Sequence, residues 1–292
     1  MTPQSCSNCC ESGIYGSHFV RFGFFYRTSD SRRVQRFICQ GCRKTRSLAT
    51  DSSWFRQKKR NKNEALRIHL ASHGSMRRAA RTLKLNRKTV ARKLEMLGFE
   101  AEARLMANNL DAPKASLVEF DDLETFEHTK CKPLSVTLAV ESVSRRILGL
   151  EVSSMPAKGL LVEKAKKYGP RPDDRAIGRA KLFANIQDLV TENVHFKSDK
   201  NPHYPAQLKA SFPKSTHETF ESRRSSLGGQ GELKKTGYDP LFSLNHTCAM
   251  LRANVIRLAR KTWCTTKRPD RLRAHLMIYA DYHNEQLAKL AS

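Results

Sequence analysis

Two aspartates in a strongly basic chain each follow a short apolar run. Asp121 stands in Val118-Glu-Phe-Asp-Asp-Leu-Glu-Thr-Phe126, and Asp199 stands in Val194-His-Phe-Lys-Ser-Asp-Lys-Asn201. Phosphodiester chemistry needs carboxylates that hold magnesium against the scissile phosphate, and a cationic surface that holds the nucleic-acid backbone. An isolated aspartate is more often a strand-end or turn residue. The shared setting nevertheless predicts that Asp121 and Asp199 lie at strand ends and bind Mg²⁺.

The composition restricts the partners that such a site would serve. The chain has 292 residues, of which 53 are Lys or Arg and 28 are Asp or Glu, and its net charge is +25. A hydrophobic fraction of 39% allows a folded core. The excess of cations predicts a polyanionic partner, and nucleic acid fits better than a membrane, because no basic amphipathic anchor and no apolar run of about 20 residues occurs. Since the N-terminus lacks a secretory pattern, we expect a cytoplasmic protein.

Cysteines near the N-terminus are spaced as metal ligands. Cys6 and Cys9 form one C-x-x-C pair, Cys39 and Cys42 form a second, and the aromatic stretch between the pairs alternates like short strands. Four thiolates suit tetrahedral zinc and leave no open position for catalysis, so the spacing predicts a structural zinc ribbon. Cys10 is an alternative to Cys9 as the fourth ligand.

Residues 51–110 carry the spacing of a helix-turn-helix. Apolar residues recur at helical intervals from Ala65 to Leu70, a glycine interrupts them, and a second apolar face runs from Met76 to Leu83. A third helix is expected to begin after an N-cap at Asn86 and to end at Gly98. A basic helical hairpin that packs on its neighbour is the alternative. The first turns of the third helix would present these residues to the major groove of DNA: Arg87, Lys88, Thr89 and Arg92.

The rest of the chain predicts a sheet with helices. Three short β-rich runs between Leu117 and Ser153, separated by polar residues, indicate an antiparallel meander. Helices, a fourth strand that ends at Asp199 and a possible fifth strand follow. This is the element order of an RNase H-like α/β fold, in which the first and fourth strands lie side by side and would bring Asp121 to Asp199. The later elements are expected at Leu160–Tyr168 and Arg175–Thr191 for helices, and at Val194–Lys197 and His217–Arg223 for strands.

Four segments carry a pattern that is shared with a known family. They are Asp121-Asp-Leu-Glu-Thr-Phe126, Ala139-Val-Glu-Ser-Val-Ser-Arg-Arg-Ile-Leu-Gly-Leu150, Ser198-Asp-Lys-Asn-Pro-His-Tyr204 and Leu251-Arg-Ala-Asn-Val-Ile-Arg-Leu-Ala-Arg-Lys-Thr262. Together these segments resemble transposases of small bacterial insertion sequences, and the IS-one-like family is the most similar group. In that family a zinc ribbon and a helix-turn-helix precede a DDE-type catalytic domain. The resemblance extends from Cys6 to about Asn284.

The resemblance implies a third metal ligand and a phosphate contact near the end of the chain. The family carries a Glu about seven residues before an Arg; here the Arg corresponds to Arg252, and Asn245 takes the place of the Glu. Asn can offer magnesium a carbonyl oxygen but no charge, and related enzymes with an Asp-Asp-Asn set look similar. Arg252 would hold the phosphate or the charge of the transition state. Other carboxylates that could complete the site are Asp122, Glu124, Glu232 and Asp239.

Cations continue beyond Asn245 at helical spacing. They would start at the metal and run along the DNA on neighbouring faces of one helix. A solvated helix face is an equally good interpretation of this spacing. The cations are Arg252, Arg257, Arg260 and Lys261.

We therefore expect a zinc ribbon at 1–50, a helix-turn-helix at 51–110 and an RNase H-like catalytic domain at 111–292. The expected function is that of a transposase that binds terminal inverted repeats, cleaves DNA strands and joins them to target DNA. Zn²⁺ and Mg²⁺ would be its cofactors, and a homo-oligomer would hold two DNA ends together. The alternatives are a catalytically inactive or domesticated DNA-binding regulator, and an RNase H-like repair nuclease that cuts without joining.

Overall fold

The computed structural model of this chain describes residues 6, 19–28, 31–50, 55, 57–221, 239–259 and 264–291. Contacts divide the chain into two units, residues 1–66 and 67–292. Residues 67–110 therefore belong to the same unit as residues 111–292, whereas the sequence predicted separate domains at 51–110 and 111–292. None of the helices in the described part of the chain is long and apolar enough to cross a membrane.

The first unit contains a small antiparallel sheet. Its strand order is β1-β2-β3, and β1 and β2 pair along the aromatic stretch between the two cysteine pairs. Phe19 and Phe37 face inward and pack with Cys6 and Cys39, which gives this sheet its own small core. The strands are β1 (Phe19–Arg27), β2 (Arg32–Cys39) and β3 (Thr45–Arg46).

Three helices follow in the positions that apolar spacing predicted. Polar side chains fix the starts of the second and third of these helices: the Ser75 hydroxyl accepts a hydrogen bond from the Arg78 N–H at 3.1 Å, and the Asn86 side chain accepts one from the Lys88 N–H at 2.8 Å. Such caps satisfy N–H groups that have no partner in the first turn of a helix. The predicted N-cap at Asn86 is confirmed. The helices are α1 (Asn63–Ala71), α2 (Met76–Thr82) and α3 (Arg87–Asp111).

The predicted end of the third helix at Gly98 is wrong, because α3 continues to Asp111. Gly98 lies where α3 crosses the last helix, α8 (Pro269–Ala291): a Cβ placed on Gly98 would lie 2.5 Å from the Ala274 Cβ and 2.7 Å from its Cα. An ion pair fastens the same crossing, since Arg273 donates to both carboxylate oxygens of Glu102 at 2.6 and 2.7 Å. Close approach to another helix, rather than termination, explains this glycine.

A five-stranded mixed sheet forms the centre of the second unit. The strand order is β6-β5-β4-β7-β8; β4, β5 and β6 are antiparallel, and β7 runs parallel to both β4 and β8. The predicted meander and the predicted adjacency of the first and fourth strands of this sheet are confirmed. The strands are β4 (Ala115–Phe126), β5 (Pro133–Glu141), β6 (Ile147–Ser154), β7 (Val190–Asp199) and β8 (Thr216–Phe220).

Helices connect and cover these strands. The two helices predicted before the fourth strand are shorter than expected, because each ends in a 3-10 turn, at Lys166–Tyr168 and at Gln187–Leu189. Strand β7 accordingly begins at Val190, earlier than the predicted Val194. The helices are α4 (Leu161–Ala165), α5 (Arg175–Ile186), α6 (Tyr204–Ser211) and α7 (Phe242–Asn254).

Aromatic side chains hold the centre of the sheet to its helices. The Phe120 ring of β4 lies 5.4 Å from that of Phe183, 5.9 Å from that of Phe196 and 4.8 Å from that of Tyr204, measured between centroids. All four side chains are buried. The Phe120 ring packs edge-to-face on Phe183 and Phe196, and this packing helps to fix the register of β4 against β7.

Substitution of Gly98 tests the crossing of α3 and α8. We expect Gly98→Ala to lower the free energy of unfolding by about 1–3 kcal/mol, because the new methyl group overlaps the backbone of Ala274. Helix propensity alone predicts a gain of about 1 kcal/mol from the same change. Urea unfolding measures the difference. Ala103→Val, at an exposed position of α3, is the control and should cost less than about 1 kcal/mol; a stabilised Gly98→Ala protein would contradict the close approach.

Candidate active site

The register of β4 and β7 sets Asp121 and Asp199 at the same level. The last paired positions of these parallel strands are Glu119 and Lys197. Two residues further along each strand stand Asp121 and Asp199. Asp199 is the last residue of β7, as predicted, whereas the prediction that Asp121 ends its strand is wrong, because β4 continues to Phe126 in pairing with β5.

Both carboxyl groups lie where a negative charge is disfavoured. Burial raises the pKa of Asp121 to about 6, and the nearby charge of Asp199 acts in the same direction. Burial also raises the pKa of Asp199, with a contribution from Asp122. Two partly buried carboxylates that destabilise each other are the arrangement that a divalent cation relieves, and carboxylate oxygens are the ligands that Mg²⁺ prefers.

Tyr204 is a direct partner of Asp121. Its hydroxyl group donates a hydrogen bond to Oδ1 of Asp121 at 3.1 Å, from the first residue of α6. The ring is fully buried against Phe120. This bond orients one oxygen of the Asp121 carboxylate. Tyr204 had no predicted role, although it closes the segment Ser198–Tyr204 in which the family resemblance was found.

Asp122 has a different role from its neighbour. Arg179 of α5 donates to Oδ2 of Asp122 at 2.9 Å, and the Thr137 hydroxyl donates to Oδ1 at 2.5 Å. The Arg179 side chain is only 4% exposed, and its guanidinium group also lies 5.3 Å from the centre of the Tyr204 ring. Asp122 is therefore compensated within the protein. No role was predicted for Arg179, because nothing in the sequence distinguishes it from the other Lys and Arg residues.

The alternative ligand Glu124 also has a partner, and so does Glu119, for which no role was predicted. Glu124 accepts a hydrogen bond from Lys158 at 2.6 Å on the surface. Glu119 is buried, and its two oxygens accept hydrogen bonds from the Ser142 hydroxyl at 2.6 Å and from the Leu244 N–H at 2.8 Å. Leu244 lies in the first turn of α7, so Glu119 fixes the start of this helix. Glu119 itself lies two residues before Asp121 on β4.

Helix α7 presents its predicted site residues beside β4. Asn245, Cys248 and Arg252 are spaced i, i+3 and i+7, which places them on one helix face. Burial raises the pKa of the Cys248 thiol to about 12; the charge of Arg252 opposes this shift and that of Asp121 adds to it. Cys248 of this face therefore lies near Asp121.

Two candidate third ligands lie together at the start of α7. The Asn245 side chain is exposed, and its amide nitrogen donates to Oδ2 of Asp239 at 2.9 Å. The other oxygen of Asp239 accepts the Leu241 N–H at 3.0 Å. A charged oxygen ligand therefore accompanies the neutral Asn245. The remaining candidate, Glu232, lies outside the described residues.

The basic stripe that was predicted for the helix beyond Asn245 is wrong at Arg257. Helix α7 ends at Asn254, and Arg257 lies in the 3-10 turn Ile256–Leu258 with only 8% of its surface exposed. Burial lowers its pKa to about 10, with a further contribution from Arg271. Arg257 therefore belongs to the core, since Val255 turns the chain before another helical turn can form. Arg260 and Lys261 lie outside the described residues.

The helix-turn-helix segment carries an exposed cluster of cations. Arg87, Lys88 and Arg92 are exposed on the first turns of α3, and Thr89 is half-buried beside them. No acidic residue occurs between positions 75 and 92. Such a surface suits a polyanion. We call it the basic helix surface, and its cations are Arg77, Arg78, Arg81, Lys84, Arg87, Lys88 and Arg92.

Three cysteines of the first unit form a cluster that could bind a metal ion. The sulfur atoms of Cys6, Cys39 and Cys42 all lie within 4.8 Å of one another, and those of Cys6 and Cys42 are 3.6 Å apart. A hydrogen bond from the backbone of Cys42 is the main cause that lowers the pKa of Cys39 to about 6. A thiolate is the form that binds metals. Cys9 and its alternative Cys10 lie outside the described residues.

No protein-family model and no curated protein matches this chain. The chemistry must therefore be argued from the arrangement itself. This arrangement places Asp121 and Asp199 at one level of the sheet, and neither forms an ion pair within the part of the chain that the structure describes. Tyr204 donates a hydrogen bond to Asp121, and Cys248 of α7 lies near the same carboxylate.

The raised pKa of Asp121 predicts a pH-dependent change in stability. Its folded-state pKa of about 6 exceeds the ordinary value of 3.8, so its contribution to stability is complete below pH 3.8 and is lost as the pH rises through 6. In metal-free buffer we expect Asp121→Asn to raise the free energy of unfolding at pH 8 by up to about 3 kcal/mol. The gain should shrink towards pH 4.

Urea unfolding in EDTA at several pH values measures this gain. Asp188→Asn, at an exposed carboxylate of the same unit, is the matched control and should change stability by less than about 0.5 kcal/mol. A gain from Asp121→Asn that is equal at pH 4 and pH 8 would contradict the assignment of a buried, mutually repelling pair.

Proposed function

We propose that this chain is a DNA transposase with an RNase H-like catalytic domain, in which Asp121 and Asp199 bind Mg²⁺. The observation that carries the proposal is their position at one level of the adjacent parallel strands β4 and β7, where burial disfavours both negative charges and neighbouring aspartates add to the effect. The net charge of +25 and the basic helix surface support DNA as the substrate.

The sheet supports the RNase H-like assignment. Its order β6-β5-β4-β7-β8, with three antiparallel strands followed by two parallel ones, agrees with the order expected of that fold. Helix α5 precedes the fourth strand and α6 precedes the fifth, as expected. Fold alone does not determine function, so the proposal rests on the site.

The residues fit a magnesium site by their donor chemistry. Asp121 and Asp199 offer hard oxygen atoms, and Asn245 with Asp239 offers further oxygens at the start of α7. Magnesium held by Asp121 and Asp199 would supply Lewis-acid activation of the attacking oxygen and stabilisation of the leaving oxygen. The attacking oxygen is that of water in the cleavage step, and that of the freed 3′ hydroxyl when the end joins target DNA.

The protein's own residues have positioning roles in this scheme. Tyr204 orients Asp121 by donating to Oδ1, and Arg179 keeps Asp122 paired so that Asp121 alone faces the ions. Arg252, exposed on the same face of α7 as Asn245, is suited to contact a non-bridging phosphate oxygen. Because water and a 3′ hydroxyl are the nucleophiles, no covalent intermediate between protein and DNA is required.

The first two segments supply DNA recognition in this proposal. The start of α3 would enter the major groove at the terminal inverted repeats, with Arg87, Lys88, Thr89 and Arg92 as candidate contacts and the other cations on phosphates. The cysteine cluster supports a zinc ribbon at the N-terminus. Joining two ends requires at least two active sites, so the active form is proposed to be a homo-oligomer.

A second candidate function is a DNA-binding regulator without catalysis. Asn245 favours it, because a neutral side chain stands where the family carries a Glu, and its amide nitrogen is directed at Asp239 rather than offering a charge. Binding of DNA would then persist without any metal-dependent cleavage.

A transposition assay tests the proposal. A donor plasmid carries a marker between the natural DNA sequences that flank the gene, and joined products are counted in Mg²⁺. We expect Asp199→Ala to lower joining by at least about 100-fold, because one carboxylate ligand is lost, while binding to the flanking DNA changes less than about twofold. Asp188→Ala, at an exposed carboxylate away from the site, is the matched control and should join normally.

The outcomes of this assay are distinct. Normal joining of DNA by the Asp199→Ala protein would contradict the assignment of Asp199 as a magnesium ligand. Binding without cleavage by the unmodified protein would favour the regulator, and cleavage without joining would favour a repair nuclease.

Metal content tests the cysteine cluster separately. We expect the purified protein to contain about one zinc ion per chain, and Cys39→Ser to lose it, because Cys39 lies within the cluster and its thiolate is stabilised. Elemental analysis by mass spectrometry gives the ratio. Cys131→Ser changes a cysteine outside this cluster and should retain the zinc; equal zinc in both variants would exclude Cys39 as a ligand.

A further inference from the structure

A cleft of about 520 Å³ opens beside the strand ends of the five-stranded sheet, where β4 ends and β5 begins. One wall belongs to the turn between β4 and β5, including Cys131 and Lys132, and the other belongs to the segment 156–172 after β6. Because Phe126 pairs with Pro133 and Leu134 pairs with Ser154, both walls lie at the end of the sheet where β4 and β6 end. The volume is in the range of small-ligand sites.

An aromatic ring between cations dominates this cleft. The Tyr168 side chain is 41% exposed, and the ammonium groups of Lys132 and Lys167 each lie 5.1 Å from the centre of its ring. The segment 158–171 is strongly basic, since it holds five Lys or Arg residues and the single acid Glu163. An exposed ring with cations beside it suits a ligand that has a flat aromatic part and a negative part, which describes a nucleotide.

The backbone fixes Tyr168 in position. Gly169 ends the 3-10 turn Lys166–Tyr168 with φ +78°, a conformation that disfavours other residues, and Pro170 follows it. Arg171 then donates to Glu127 through two nitrogens at 3.2 Å each, which ties this segment to the turn after β4. The two walls are therefore joined before any ligand binds.

The cleft lies along the strand that carries Asp121. Glu127 follows Asp121 by six residues, which corresponds to about 20 Å at about 3.3 Å per residue of strand. A nucleic-acid strand advances about 3.4 Å per nucleotide in a duplex, so the same distance spans about six nucleotides. Glu124 lies between the two sites on β4, and Lys158 donates to its carboxylate at 2.6 Å.

We propose that this cleft binds one unpaired nucleotide of the DNA strand whose scissile phosphate lies at Asp121. The base stacks on the Tyr168 ring, and Lys132 and Lys167 move from the ring to the adjacent phosphates. The site would hold the strand at a fixed distance from the reacting phosphate. This inference rests on the proposed function for its substrate, but it concerns binding and not chemistry.

Photochemical cross-linking tests the cleft without any cleavage. The probe is an oligodeoxythymidine strand with a single 5-iododeoxyuridine, and the full chain is irradiated with it in Ca²⁺. We expect a cross-link to Tyr168, found by peptide mass spectrometry, and we expect Tyr168→Ala to lose it and to bind the strand about tenfold more weakly. Tyr168→Phe should retain binding, because it keeps the ring. Phe99→Ala removes an aromatic residue that is 67% exposed on α3 and is the matched control.

Failure of this inference differs from failure of the proposed function. The cleft would not be a nucleotide site if Tyr168→Ala and the unmodified protein bound the strand equally and the cross-links lay in other peptides. This conclusion would hold even if transposition proceeded. A cross-link to Tyr168 in the unmodified protein and in Asp199→Ala would support the cleft, whatever the cleavage assay gives.

Discussion

The parallel pairing of β4 with β7 is the constraint on which the rest of the site depends. Two carboxylates do not approach each other in a basic protein without a force that holds them there. Here that force is the burial of Phe120 and Phe196 on the two strands, which packs the strands in one register and leaves Asp121 and Asp199 at the same level. Packing of the hydrophobic core thus keeps two carboxylates near each other, and a bound divalent cation would offset the cost of their negative charges.

Three acidic residues of β4 show how environment assigns different roles to similar groups. Glu119 is buried and accepts a hydrogen bond from the first turn of α7, and Asp122 is paired with Arg179. Asp121 between them accepts hydrogen bonds from the Tyr204 hydroxyl and from the next backbone N–H. The two neighbours thereby position the elements that surround Asp121. Glu119 anchors the start of helix α7, which carries Asn245 and Arg252.

The order of strands, the N-cap at Asn86 and the position of Asp199 at the end of β7 could be predicted from sequence, because each has a local signal: apolar periodicity, a capping side chain or a carboxylate that follows an apolar run. The errors share a different cause. Gly98 resembles a helix end until Ala274 is seen against it, and Arg257 continues an apparent helical spacing until the chain turns at Val255. The choice between Asp121 and Asp122 likewise depends on Arg179, which is distant in sequence. Contacts between residues that are distant in sequence determine these three features, and such contacts cannot be inferred from a single sequence.

Iron-mediated cleavage of the protein backbone would test the magnesium site most directly. Fe²⁺ takes the place of Mg²⁺ in the presence of DNA, and ascorbate with peroxide then produces radicals that cut the chain next to the bound metal. The account predicts cuts close to Asp121 and Asp199 together, suppressed by excess Mg²⁺ and absent from Asp199→Ala. Cuts confined to other parts of the chain, or unaffected by Mg²⁺, would contradict a shared metal site on β4 and β7.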